Sequence, residues 1–187
     1  MKILNDQRER YLKHLTATLE EARTLNETCS TELLLQPGQM DDPEPAFRLY
    51  RIDVATTNGG AQSLLDANVD PEPVSLSLSD YSAPVFVREL AWNDVQLNVV
   101  SSELPIDEIA LWATRWLDMD DHNAAGPDGF QGVVHSVLRP ERSAESSWVL
   151  NIDMGSAPAL ALEELLRIVS AGAESVEVLS SNPRPGA

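Results

Sequence analysis

The chain has 187 residues, 43% of them apolar, and a formal net charge of −17. That apolar share is enough for a core, and no run approaches the roughly eighteen apolar residues needed to span a bilayer. Thirty acidic against thirteen basic side chains argue against a phosphate-binding face for nucleic acid and against docking on anionic lipid.

The acidity is uneven. Residues 1–26 carry five basic and four acidic side chains, so residues 27–187 hold a net −18. Such a surface favours a basic partner, because opposite fields speed encounter and penalise wrong partners; it also serves plain solubility. Met1-Lys2, followed by Asp6, Arg8, Glu9 and Arg10, lacks the apolar core of a signal peptide, and a cytoplasmic location is expected. Cys29 stands alone. It can form neither an intrachain disulfide nor a cysteine-based metal site, and a small buried hydrophobe is its expected role.

Taken in chain order, residues 2–26 predict an amphipathic helix, with Leu4, Tyr11, Leu12, Leu15, Leu19 and Ala22 at three- and four-residue steps. Its stripe must be buried on its own globule or on a second copy. Residues 36–46, with three prolines, read as a loop, and Phe47 to Val54 as a strand. Thr57-Asn58-Gly59-Gly60 is a turn signal, and residues 66–73 a second loop. Val74, Leu76 and Leu78 alternate with serines as in a half-buried strand. Val85 to Val100 reads as a hairpin turning at Asn93-Asp94, and Pro105 opens a helix striped by Ile109, Ala113, Trp116 and Leu117. An acidic loop fills residues 118–130. Strands are expected at Gln131 to Leu138, over residues 148–154 and at Val176 to Leu179. Between the last two, Ser156 is placed to cap a helix that Gly172 ends.

Residues 85–180 therefore read β-α-β-β-α-β, the order of a ferredoxin-like unit. The expected fold is α+β in a single domain over 1–187: an N-terminal helix (1–26), a loop- and strand-rich part (27–84), the β-α-β-β-α-β core (85–180) and a frayed tail (181–187). Its sheet is expected to be mainly antiparallel.

Candidate chemistry is sparse. Asp118, Asp120 and Asp121 space their carboxylates like the start of a calcium loop, but Asn123 and Gly129 stand where that loop needs Gly and Glu. With Asp128, these acids read first as a solvated acidic loop. The other readings are a weak Mg²⁺ site, which needs fewer protein ligands, and a docking surface for basic side chains, where arginine forks pair with carboxylates. His135 and Ser136 are strand neighbours and point to opposite faces, which is poor geometry for a nucleophile and its base. Asp153 and Ser156 could join His135 at a sheet end. Trp92, Trp112, Trp116 and Trp148 are expected mostly in the core. No metal or cofactor is implied.

Val95 to Val100, the Trp112/Trp116 helix, Val134-His135-Ser136, and Asp153-Met154-Gly155-Ser156-Ala157-Pro158 before an amphipathic helix give a C-terminal half that resembles small immunity proteins of bacterial toxin systems. The resemblance implies a small, acidic, cytosolic protein without catalytic machinery that occludes a toxin by charge and shape. It carries over no defined functional residues. The leading expectation is a non-catalytic, immunity-type inhibitor that binds a basic protein partner through Asp118, Asp120, Asp121 and Asp128, with neither nucleic acid nor membrane as a partner. The alternatives are a chaperone-like adaptor dimerising through residues 2–26, and an enzyme with a site near His135 and Asp153.

Overall fold

The computed structural model describes residues 2–36 and 43–181. Most of the expected 36–46 loop and all of the tail after Ser181 lie outside the described residues. Helix α1 (Lys2–Leu25) leads into strand β1 (Thr28–Leu35). A 3₁₀ turn at Pro45–Arg48 precedes β2 (Tyr50–Asn58), β3 (Ala61–Leu65), β4 (Glu72–Leu78), β5 (Val85–Leu90) and β6 (Val95–Val100). Then come α2 (Ile106–Trp116), β7 (Ser136–Val137), β8 (Glu141–Ala144), β9 (Ser147–Asp153), α3 (Ala159–Ser170) and β10 (Ser175–Ser180). The fold is α+β. Among the described residues no helix is long and apolar enough to cross a membrane.

All ten strands belong to one sheet, ordered β1-β2-β7-β9-β6-β10-β5-β4, with β3 on β2 and β8 on β9. Every pairing is antiparallel except β10 with β5, so the sheet is mixed. In the central strands Val95, Leu97 and Val99 lie opposite Ile152, Leu150 and Trp148. Facing pairs share one side of a sheet, and this side joins the helix stripes in one apolar cluster. The intervening Gln96, Asn98 and Asn151 are only partly buried, so the helices cover one face.

Leu4, Tyr11, Leu15, Leu19 and Ala22 of α1 are buried in that cluster. Each leucine so placed stabilises the fold by about 1.5–3 kcal/mol relative to exposure. The stripe is therefore consumed by the helix's own globule, and a dimer through it loses the feature that motivated it.

Three expectations change. Val85 to Val100 is not a hairpin, because β10 inserts between β5 and β6, pairing Val176 with Val85 on one side and with Val99 on the other. The link between them carries the fully buried Trp92, and its Asp94 accepts hydrogen bonds from Ser180 (2.6 Å) and Ser181 at the end of β10. Phe47 to Val54 divides into the 3₁₀ turn and the start of β2, since Pro45 opens a turn more readily than a strand. Of residues 131–138 only Ser136 and Val137 form regular strand; the residues before them are drawn into a side-chain network.

Candidate functional site

The acidic loop is built around Arg51, whose side chain is fully buried. Its guanidinium donates to the carbonyls of Leu117 (3.0 Å), Glu32 (2.7 Å) and Asp118 (2.9 Å), to Asp121 Oδ1 (3.0 Å) and to Gln131 Oε1 (2.9 Å). Glu32, Asp118 and Asp121 have φ of +53°, +49° and +52°, a left-handed conformation that is costly for residues other than glycine. All three place an oxygen on Arg51, so one arginine holds all three strained residues.

Of the four expected docking carboxylates, Asp118 is only 11% exposed and is turned inward, accepting from the Asn123 N–H (2.8 Å). Asp121 pairs with Arg51 yet stays 59% exposed. Asp120 and Asp128 are exposed.

A second network surrounds His135, which is 1% exposed. Its Nε2 lies 3.0 Å from Glu32 Oε1, and its Nδ1 lies 2.8 Å from Asp53 Oδ1. Each carboxylate is completed in the same manner, by one hydroxyl and one backbone N–H. Asp53 accepts from the Tyr11 hydroxyl and the Ala67 N–H. Glu32 accepts from the Ser156 hydroxyl and the Gln131 N–H. Ser156 Oγ in turn accepts from the N–H groups of Gly132 (2.9 Å) and Val133 (3.1 Å). Ser156 thus caps no helix; the N-cap of α3 is Pro158, which provides no side-chain cap. Arg8 of α1 donates to the Ser156 and Ala157 carbonyls, both at 2.9 Å.

The electrostatics follow from this wiring. Burial alone would lower the His135 pKa. Hydrogen bonds to Asp53 and Glu32, with the charges of Asp153 and Asp53, outweigh that and raise it to about 10. The imidazolium then lies between two buried carboxylates, each also hydrogen-bonded, the condition under which buried charges are tolerated. Burial and the neighbouring acids push Tyr11 well above its ordinary value, which keeps its hydroxyl a donor. Asp153 is half-buried. Burial raises it to about 7; the His135 charge opposes the rise and Asp53 adds to it.

His135, Asp153 and Ser156 do come together. The His135 N–H donates to the Asp153 carbonyl (2.9 Å). A Cβ on Gly155, whose φ is +50°, would fall 2.1 Å from the His135 ring. Yet they form no nucleophile–base pair: the Ser156 hydroxyl faces Glu32, and His135 is held between two carboxylates.

Sequence reasoning missed Glu32 and Asp53 altogether. The available signal was a charged residue set inside an apolar strand, as in Tyr50-Arg51-Ile52-Asp53-Val54. His14 and His122 are exposed. Cys29 is half-buried. Trp92 and Trp112 are buried and Trp116 and Trp148 partly so. Among the described residues no group of three or more His, Cys, Asp or Glu is arranged to hold a metal ion. In comparisons with known proteins, no family model matches the chain, and no curated protein or solved structure is significantly similar to it.

Proposed function

We propose that this chain is a non-catalytic, acidic binding protein of the immunity type, acting in the cytoplasm and occluding a basic protein partner such as a toxin domain. The observation that carries this reading is the mutual engagement of the groups around His135, whose Nε2 is hydrogen-bonded to Glu32 and whose Nδ1 lies in ion-pair contact with Asp53. The groups that would supply acid–base or nucleophilic chemistry, namely His135, Ser156, Glu32, Asp53 and Tyr11, are buried and spent on one another. The remaining acidity is mostly at the surface. Asp120, Asp121 and Asp128 lie on a loop that Arg51 anchors at both ends, through the Leu117 and Asp118 carbonyls and the Asp121 and Gln131 side chains. That anchoring lowers the ordering cost of docking.

The test is capture from the native lysate with this chain as bait, washed at low and high salt. A stoichiometric basic partner that is lost at high salt supports the reading, because exposed charge pairs are screened. A clean lane, or a partner indifferent to salt, contradicts it.

For the fold, we read β6-α2-β7-β9-α3-β10 as a split βαβ unit of the ferredoxin-like kind. Support comes from the run β7-β9-β6-β10, antiparallel throughout, with α2 and α3 as its two crossovers. The remaining strands extend this unit on both sides.

A further inference from the structure

The sheet opens beside the His135 network. Strand β2 meets β7 in one ladder pair, Tyr50 with Ser136, beside which the Arg51 N–H donates to the His135 carbonyl (2.7 Å); β3 takes over the same edge of β2 from Val54 onward. At this split lies a cleft of about 390 Å³, a size in the lower range for small-molecule sites. Its polar lining includes Arg48, Asp66, Asn68, Asn93, Ser136 and Asp153. Phe47, Leu49, Ile52 and Val137 contribute apolar surface.

Three of these groups have chemistry to spare. Arg48 is partly buried, its Nε has no hydrogen-bond partner, and no carboxylate among the described residues pairs with it. Arg8 is also half-buried without a carboxylate, but the Ser156 and Ala157 carbonyls take up its guanidinium; Arg48 has no such acceptor among the described residues. Asp153 accepts the Gly155 N–H (2.9 Å) on Oδ1, which leaves Oδ2 uncommitted among the described residues. Asp66 is exposed and has no described hydrogen-bond or ion-pair partner.

Tyr50 faces Ser136, and Ser136 faces Asp153. Asp153 therefore stands two strand spacings, about 10 Å, from the backbone that continues out of Arg48. The long arginine side chain and a ligand only a few bonds across close that gap together.

We propose that this cleft binds a small zwitterion, an α-amino acid with an apolar side chain. Arg48 takes its carboxylate as a fork, Asp153 and Asp66 take its ammonium, and the wall of Phe47, Leu49, Ile52 and Val137 takes its side chain. A purely anionic ligand would meet two carboxylates, and a purely cationic one would meet Arg48. A zwitterion satisfies both. The charged and titratable groups around Asp153 are His135, Asp53, Asp66 and Tyr11. Burial raises its pKa to about 7, so the ammonium site is fully charged only above neutrality and binding strengthens as pH rises through 7.

The experiment is calorimetric titration of the full chain at pH 8 with L-leucine and L-phenylalanine, alongside N-acetyl-L-leucine, which lacks the ammonium, and L-leucinamide, which lacks the carboxylate. Binding of leucine or phenylalanine is expected, with each blocked analogue weaker by roughly 10- to 100-fold, the worth of a hydrogen bond to a charged group. Arg48→Gln and Asp153→Asn, each shown folded by its thermal transition, are expected to lose affinity by a similar factor. Amide shifts in the folded wild type locate the ligand at Asn68 and Ser136. The proposal is overturned if neither amino acid binds at millimolar concentration. It is equally overturned if the blocked analogues bind as well as leucine, or if both folded variants bind unchanged. No protein partner takes part, so the result is independent of the inhibitor reading.

Discussion

Two pairs of carboxylates stand within reach of His135 and have opposite circumstances. Glu32 and Asp53 each receive one hydroxyl, one backbone N–H and one imidazole nitrogen. Asp153 receives a single N–H and lies half-buried, while Asp66 receives none and lies exposed. The first pair anchors α1, β1, β2 and the turn before α3 to one another. The second lines an open cleft. The contrast separates acids that hold the fold from acids that are free to meet something else. It rests on hydrogen-bond accounting, since sequence position does not distinguish the two pairs.

The harshest way to break this contrast is His135→Ala. It strands Glu32 and Asp53 as buried charges facing each other, and we expect a loss of about 3–5 kcal/mol in urea unfolding. A loss under 1 kcal/mol would mean that the pair is not held through the imidazolium.

Asp153→Asn sharpens the comparison from the other side. The Asp153 pKa is raised to about 7 from 3.8, so the folded state holds its proton more tightly than the unfolded chain. Ionising it costs stability progressively as pH rises from about 4 to about 7. Asp153→Asn removes that slope, and above pH 7 it is expected to be more stable than the wild type by about 2–4 kcal/mol. Parallel stability–pH curves for the two proteins would contradict the assignment.

Gly155→Ala tests the close approach to the His135 ring, where overlap and a positive φ act together. A fall of about 1–3 kcal/mol in unfolding free energy is expected. Smallest of all is the double change Asp120→Asn with Asp128→Asn. These exposed side chains should shift stability by no more than about 0.5 kcal/mol, while a salt-sensitive partner is captured less well. Unchanged capture would remove them from the docking surface.

Much of the fold was legible in residue patterns. The stripe of α1, the alternation of β9 and the helical repeats of α2 and α3 all appear where periodicity places them, because each buries a single face. Strands β1, β3 and β8 were not legible, for a shared reason. They sit at edges or hang off the main sheet, β3 and β8 are exposed throughout, and β1 buries only Glu32 fully. None therefore carries an apolar alternation. The pairing of β10 between β5 and β6 is a long-range choice that a turn signal at Asn93-Asp94 cannot reveal.

The site was legible in part. His135, Asp153 and Ser156 could be named as neighbours at a sheet end. Their wiring could not, because it runs through Glu32 on the unrecognised β1 and through Asp53 in β2. The acidic loop was visible as charge alone. Arg51, which organises it from strand β2, lies far from it in sequence and close in space.

The account turns on His135 being permanently charged and sealed, hence structural. The direct measurement is an NMR titration of its imidazole nitrogens and ring protons from pH 5 to pH 9. With the pKa raised to about 10, both nitrogens should stay protonated, exchange slowly with water and show no midpoint in that range. A midpoint near the ordinary histidine value, about 6.5, would make His135 an available base and reopen the catalytic reading.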